Sequence, residues 1–282
     1  MKFFAKNIRL FLLDGISNGR CICELSNWTG VAYKIPRNMI KASEERKELA
    51  SSGIYFLFGT DDETGNLLVY IGEAENIIYR LKQHLNDKDY WNEVIAFISK
   101  DDNLNKAHIK YLENRFYTIA KETNRYIVKN INIPTKSTIS EAEEIEMEEF
   151  IYNAKLLIST LGHKAFESLL ADAQQEDNSE MLHLQFSSRG GTSGRATGKR
   201  TNEGFVLLKG SQINPVIAVS MPQGSLKLRE QYKHIINENY VITEDILFTS
   251  PSGASCFVCG RSSNGLDEWK NTEGVSLKIL EQ

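Results

Sequence analysis

The chain has 282 residues, 41% hydrophobic and 25% charged with 5 prolines, which is enough apolar content for a real core and too ordinary a balance for a disordered chain. Its formal net charge of −4 excludes a protein that coats nucleic acid by bulk attraction, so any affinity for DNA must come from a local basic patch. No apolar run approaches the roughly 20 residues that span a bilayer, which sets aside a membrane partner. The start, with no long apolar segment and no small-residue cleavage site, predicts a cytoplasmic protein.

Residues 1–49 read as a β-rich N-terminal extension. Ile8 to Leu13 and Cys21 to Leu25 have strand composition, Asp14-Gly15 and Asn18-Gly19 are turn signals, and Val31 to Ile35 is a third strand candidate. Arg37 to Leu49 reads as a helix, with Lys34, Arg37 and Lys41 as cations in reach of phosphates. The extension is expected to cover an edge or face of the next domain. Gly53 to Gly59 and Leu67 to Gly72 are short runs of aromatic and branched residues joined by Asp-Asp-Glu-Thr-Gly-Asn, the composition of a hairpin. The period then changes: Ile77, Ile78, Leu81 and Leu85 fall at helical spacing and put Asn76, Arg80 and His84 on the opposite, polar face.

Residues 89–98 read as a third strand, and Asn103 to Thr123 as a helix capped near Asp101 or Asn103 that carries Glu113. Composition alone makes Glu113 a solvated face residue. Ser140-x-x-Glu143 is a capping box opening a long helix to Gly162, whose acidic start suits the helix dipole. The polar stretch from Ala171 to Glu180 lacks an apolar period and marks a domain boundary. Residues 181–186 are a further strand candidate, and the run to Arg200 is the most basic in the chain, holding Arg189, Arg195, Lys199 and Arg200. It reads either as a loop that wraps a phosphate backbone or as a solvated linker. Gly204 to Gly210 is a strand and Leu226 to Asn239 a helix. The cysteines, Cys21-x-Cys23 and Cys256-x-x-Cys259, are expected in strands as buried reduced thiols, with a four-thiolate zinc site as the less favoured alternative. Trp269 is expected either in a core or in a DNA-contacting element.

Gly53-Ile54-Tyr55 and Tyr70-Ile71-Gly72, with Arg80 eight residues after Gly72 and Leu112-Glu113 further on, resemble the GIY-YIG nuclease family over about residues 50–135. The C-terminal region resembles an uncharacterised domain often appended to such modules. More weakly, it is similar to a small domain found with restriction and adenine-methylase proteins. The resemblance implies an α+β fold: a small, mainly antiparallel three-stranded sheet flanked by helices, with the β-rich extension before it and a separate α+β domain after. The expected division is 1–49 extension, 50–170 nuclease domain, 171–200 polar then basic linker and 201–282 C-terminal domain for target recognition.

It further implies a DNA endonuclease using Mg²⁺ or Mn²⁺, with Glu113 as the metal-binding carboxylate and Arg80 on the non-bridging phosphate oxygens. Tyr55 and Tyr70 orient or deprotonate the attacking water, and His84 is a proton shuttle, a phosphate ligand or a structural residue. Asn130 and Asn132 compete for the family's terminal asparagine, with Asn132 favoured. Arg195, Lys199 and Arg200, with Arg80, are the expected DNA contacts. Glu73 departs from the family pattern and either weakens phosphate binding or joins the metal shell. A non-cleaving DNA-binding or sensing protein with a vestigial site is the alternative.

Overall fold

Gly53 through Gly59 are buried without exception, and a strand that exposes neither face has to lie inside a sheet. This strand, β4 (Gly53–Thr60), is the axis of the first of two units, Met1–Glu167 and Ser168–Gln282. The computed structural model describes residues 5–170, 180–187 and 191–282. Residues 171–179 of the expected polar boundary, and Arg189, fall outside them.

The sheet of the first unit has seven strands where the sequence predicts three. β1 (Ile8–Leu12), β2 (Cys21–Leu25), β3 (Gly30–Pro36), β5 (Leu67–Ala74), β6 (Glu93–Ser99) and β7 (Ile127–Val128) join β4 in the order β1-β2-β3-β6-β4-β5-β7. All neighbours are antiparallel except β5 and β7. The N-terminal strands cover an edge, not a face, and do so by joining the sheet: β3 pairs with β6 from Gly30↔Ser99 to Pro36↔Glu93. The reason lies in β6, whose Val94 to Ser99 are all buried and cannot form an edge.

Alternation along β4 builds two cores. Ile54, Phe56 and Phe58 pack with α2 (Lys106–Thr123) and α3 (Glu141–Thr160), while Tyr55 and Leu57 face α1 (Ile77–Asp87) through Ile77 and Leu81. The Phe56 ring meets Phe116 and Phe166 edge-on at centroid distances of 4.8 and 5.0 Å.

Local departures have local causes. Arg37 to Leu49 forms three 3₁₀ turns, Arg37–Met39, Lys41–Glu45 and Lys47–Ala50, in place of one α-helix. Its enclosed residues Ile40, Ser43 and Leu49 recur in multiples of three, the 3₁₀ period, and Arg46 between the last two turns is extended. α2 starts at Lys106 because the Asn105 side chain accepts from the N–H groups of Ala107 and His108. The capping box at Ser140 and Glu143 is present on α3.

The second unit has a four-stranded antiparallel sheet, β11 (Ile246–Phe248), β10 (Gly204–Leu207), β9 (Ser193–Thr201) and β8 (Leu182–Ser187) in that order. Residues 193–200, expected in a basic linker, thus belong to a strand with partners on both sides. Its glycines and cations give it the composition of a linker, although Ala196 and Gly198 sit buried at alternate positions. A helix, α4 (Gln223–Gln231), begins earlier and ends sooner than predicted, with a 3₁₀ turn at Lys233–Ile235 after it.

Cys256 and Cys259 lie on α5 (Pro251–Cys259), not in a strand: Ser250 caps it by accepting from the Gly253 N–H, Pro251 takes the first turn, and Gly260 ends it at φ +66°. All four cysteines are buried and unpaired. Trp269 belongs to the core, 4.6 Å from the Phe205 ring, with Nε1 donating to the Pro251 carbonyl at 3.0 Å.

Arg229, on α4, is buried among backbone carbonyls. It donates to Phe257, to Val258 at 3.2 Å and to Asn214 at 2.7 Å, and burial pulls its pKa down to about 10. Two of these carbonyls, those of Phe257 and Val258, are ones that α5 leaves unpaired near its C-terminus, where the helix dipole is negative. Arg229→Ala is expected to cost the second unit about 3 kcal/mol in urea unfolding, through lost charge-assisted bonds and carbonyls left unpaired. A loss below about 1 kcal/mol would show that the cap is dispensable.

Candidate active site

β4 and β5 set the two signature tyrosines. In their register Tyr55 lies opposite Gly72, and Leu57 opposite Tyr70. Gly72 is required by close approach, because a Cβ there would collide with the Tyr55 ring and hydroxyl; one at Gly53 would strike the Phe97 carbonyl. Both signature glycines therefore admit neighbours that any side chain would push away.

α1 covers this face of the sheet. Its N-cap, Asn76, accepts from the Tyr79 N–H at 3.0 Å, and the helix then presents Arg80 and His84 to the tyrosines. Tyr55 Oη lies 2.7 Å from His84 Nε2, and the His84 ring packs against Tyr55 and Tyr70 at centroid distances of 5.5 and 5.4 Å. The Arg80 guanidinium faces both phenols, and its Nη1 donates to Gln83 Oε1 at 2.7 Å. Tyr55 is enclosed behind the surface. Tyr70 is half-buried and lines an open cleft of about 820 Å³ with Lys88, Tyr90, Glu113 and the segment 127–135. The Lys88 ammonium sits 4.7 Å from the Tyr70 ring centroid.

Glu113 comes from α2, on the other side of the sheet, and reaches the same cleft at the β5 edge. β7 makes this possible by its brevity: it pairs with β5 only at Leu68 and Val69. Beyond it, Asn130 takes over the edge, its Oδ1 accepting from the Ile71 N–H at 3.0 Å and its Nδ2 donating to the Ile71 carbonyl at 2.7 Å. Glu113 comes next, beside the Glu73 backbone amide. Asn132, favoured from the sequence over Asn130, is exposed on the cleft rim and makes no such contact. Asn130 is the asparagine tied to the Tyr-Ile-Gly strand, and only the pairing of strands distinguishes the two.

Burial sets the charge states. It pushes Glu113 up to about 7, with the Glu73 carboxylate adding to the shift. Burial also raises Tyr55 and Tyr70 above the ordinary phenol range, Arg80 pulling the other way, so both carry protons at neutral pH. His84 is lowered to about 3 by burial and by the charges of Lys88 and Arg80, and is neutral. Its Nδ1 has no hydrogen-bond partner. When Nε2 is the bare nitrogen, Tyr55 donates to it and keeps its lone pairs for Arg80.

A half-buried carboxylate beside a second carboxylate, with oxygen as the only donor atom, suits a hard divalent cation. Lys106 partly neutralises the neighbour, lying 3.0 Å from Glu73 and 3.6 Å from Glu75. Among the described residues no three His, Cys, Asp or Glu side chains gather at one point.

The remaining predicted DNA contacts separate. Arg195 and Lys199, four apart on β9, project from one face of the sheet. Arg200 lies on the other face and pairs with Glu281 at 3.4 Å. The sequence offers no signal that Lys88, Tyr90 and Lys129 line the cleft; the Lys129 ammonium lies 5.2 Å from the Tyr90 ring.

The family described as a domain of unknown function (DUF4357) matches residues 185–281. This match starts within β8 and so takes in β9, in agreement with the sheet and against a linker reaching residue 200. No curated protein and no solved structure matches the chain. Among the described residues no helix is long and apolar enough to cross a membrane.

The lowered His84 pKa carries a linkage. The unfolded chain takes up this proton near 6.5 and the folded one only near 3, so the stability is complete above about pH 6.5 and declines as the pH falls towards 3. Melting temperatures measured across this range should fall less steeply for His84→Gln than for the wild type. Parallel profiles would mean that His84 is charged in the folded protein.

Proposed function

We propose that the first unit is a GIY-YIG-type endonuclease site that hydrolyses DNA phosphodiester bonds with Mg²⁺ or Mn²⁺, and that the second unit contributes to target binding. The observation that carries this reading is the meeting of Tyr55, Tyr70, Arg80, His84 and Glu113, from two strands and two helices on opposite faces of one sheet, with Tyr70 and Glu113 in one open cleft.

In this reading the Arg80 guanidinium donates to the non-bridging oxygens of the scissile phosphate. Tyr70, at the cleft surface, orients the attacking water through its hydroxyl. Tyr55 and His84 lie behind and hold Arg80 and Tyr70 in place. The phenols keep their protons at neutral pH, so proton acceptance from the water depends on the positive charge beside them. Glu113 would hold the divalent cation through oxygen, and Glu73 is near enough to contribute. When bound, the cation neutralises charge building on the phosphate and the leaving oxygen. Without it, burial and the Glu73 carboxylate hold the Glu113 pKa up at about 7, so the site gives up a proton on binding the cation.

The test is conversion of supercoiled plasmid to nicked and linear forms with Mg²⁺. Glu113→Gln should abolish cutting, and Arg80→Ala and Tyr70→Phe should slow it by about 10²-fold or more. All three should still bind a short duplex in EDTA. Cutting that survives Glu113→Gln sinks the metal assignment, and a wild type that binds without cutting favours the non-cleaving alternative. For the second unit, neutralising Arg195 and Lys199 together should flatten the slope of log affinity against log salt by about two. An unchanged slope would remove this strand face from the DNA contacts.

A further inference from the structure

A second cationic cleft lies on the first unit, away from the residues assigned above. Arg37 opens the 3₁₀ turn that follows β3. Its backbone N–H donates to the Asn92 carbonyl at 2.8 Å, its Nη2 donates to the Leu85 carbonyl of α1 at 2.9 Å, and its guanidinium lies 4.4 Å from the Trp91 ring centroid. Nη1 is enclosed and has no hydrogen-bond partner. A guanidinium stacked on an indole and tied to one carbonyl keeps its full charge and has donors to spare. Beside it is a cleft of about 580 Å³ lined by Arg37, Asn38, Lys41, Leu85 and Asn92.

The lining holds two cations, two amides and no carboxylate. Nearby cations of the same unit are neutralised: Lys34 by Glu93 at 2.8 Å, Lys82 by Glu44 at 2.9 Å and Arg20 by Asp14 at 2.8 Å. Among the described residues, Arg37 and Lys41 have no such carboxylate. Uncompensated positive charge in a concave, amide-lined site favours an anion.

The position says which anion. Leu85, in the last turn of α1, lines this cleft and Lys88, just past the end of that helix, lines the Tyr70–Glu113 cleft; Asn92 and Tyr90, two residues apart, line one each. The segment 85–92 therefore separates this cleft from the one that takes the scissile phosphate in the nuclease reading, and a single ligand that reaches both is a polyanion. We propose that Arg37, Asn38, Lys41 and Asn92 seat a backbone phosphate of the DNA strand at a position distinct from the scissile phosphate. This rests on the nuclease reading for the identity of the polyanion. It makes the connection after β3 part of the substrate platform, a role that neither the hairpin nor its signature residues supply.

The experiment is fluorescence anisotropy of the full-length chain with a short labelled duplex in EDTA, repeated over a salt series. Lys41 is exposed, so Lys41→Ala leaves the fold alone; Arg37→Met keeps an apolar stem over Trp91 and removes the charge. Each variant should bind about fivefold to tenfold more weakly, with a log–log salt slope reduced by about one. Unchanged affinity and slope in both variants overturns the proposal, whether or not the protein cuts plasmid. A reduced slope in a chain that never cuts supports the phosphate seat and counts against the nuclease reading alone. If inorganic phosphate at constant ionic strength displaces no duplex from the wild type, the polymer assignment stands. If phosphate erases the difference between wild type and Lys41→Ala while duplex stays bound, the cleft belongs to a small free anion and the assignment to DNA fails.

Discussion

The close approach of the Tyr55 ring to the backbone of Gly72 is the contact on which the first unit's site depends. A phenol buried in the middle of a sheet has to lie over something, and across the ladder only a glycine leaves room. This fixes where the Tyr55 hydroxyl ends, and hence where His84 and Arg80 must be on the helix above. The same strand packs α2 and α3 with its other face, so the position of Glu113 is coupled to that of Tyr55 through a shared backbone. Shifting β4 by one residue would exchange the two faces and take Tyr55 out of the site.

Much of this is legible in the sequence because short-range rules produce it. The hairpin follows from aromatic and branched residues around turn chemistry, α1 from its 3.6-residue period, and α3 from its capping box. The departures concern pairing over long distances. Nothing local in Val94 to Ser99 says that its second neighbour is β3, far back in the chain at Gly30–Pro36, so from sequence the sheet looks smaller than it is. That Asn130 and not Asn132 is tied to β5 is hidden for the same reason, since it turns on which of them comes level with Ile71. The helix at Cys256 is a different case: Ser250, Pro251 and Gly260 announce its ends, and the paired cysteines, with Phe257 and Val258 between them, mimic a strand.

The second unit shows how composition misleads about order. A run rich in glycine, serine and arginine has the make-up of a linker, yet β9 uses its small residues where they face Phe186 and Phe205 and turns Arg195 and Lys199 to the opposite face. Glycine here leaves space for aromatic rings of the adjacent strands. Basic character and regular structure coexist because Arg195 and Lys199 alternate with the small residues, while Arg200 stands near the end of the strand and pairs with Glu281. Arg229 is the converse, a charge turned inward and satisfied by carbonyls alone.

The pairing of β3 with β6 has a practical consequence for anyone who wishes to isolate the hairpin module. A fragment beginning at Gly53 would keep both signature tripeptides, Arg80 and Glu113, and by motif it would look complete. It would also uncover one whole side of β6, from Glu93 to Ser99, as a free edge of apolar residues. Such an edge recruits strands from other molecules. The smallest fragment that keeps the sheet closed on that side therefore starts before Gly30, well upstream of the first residue that any motif would mark.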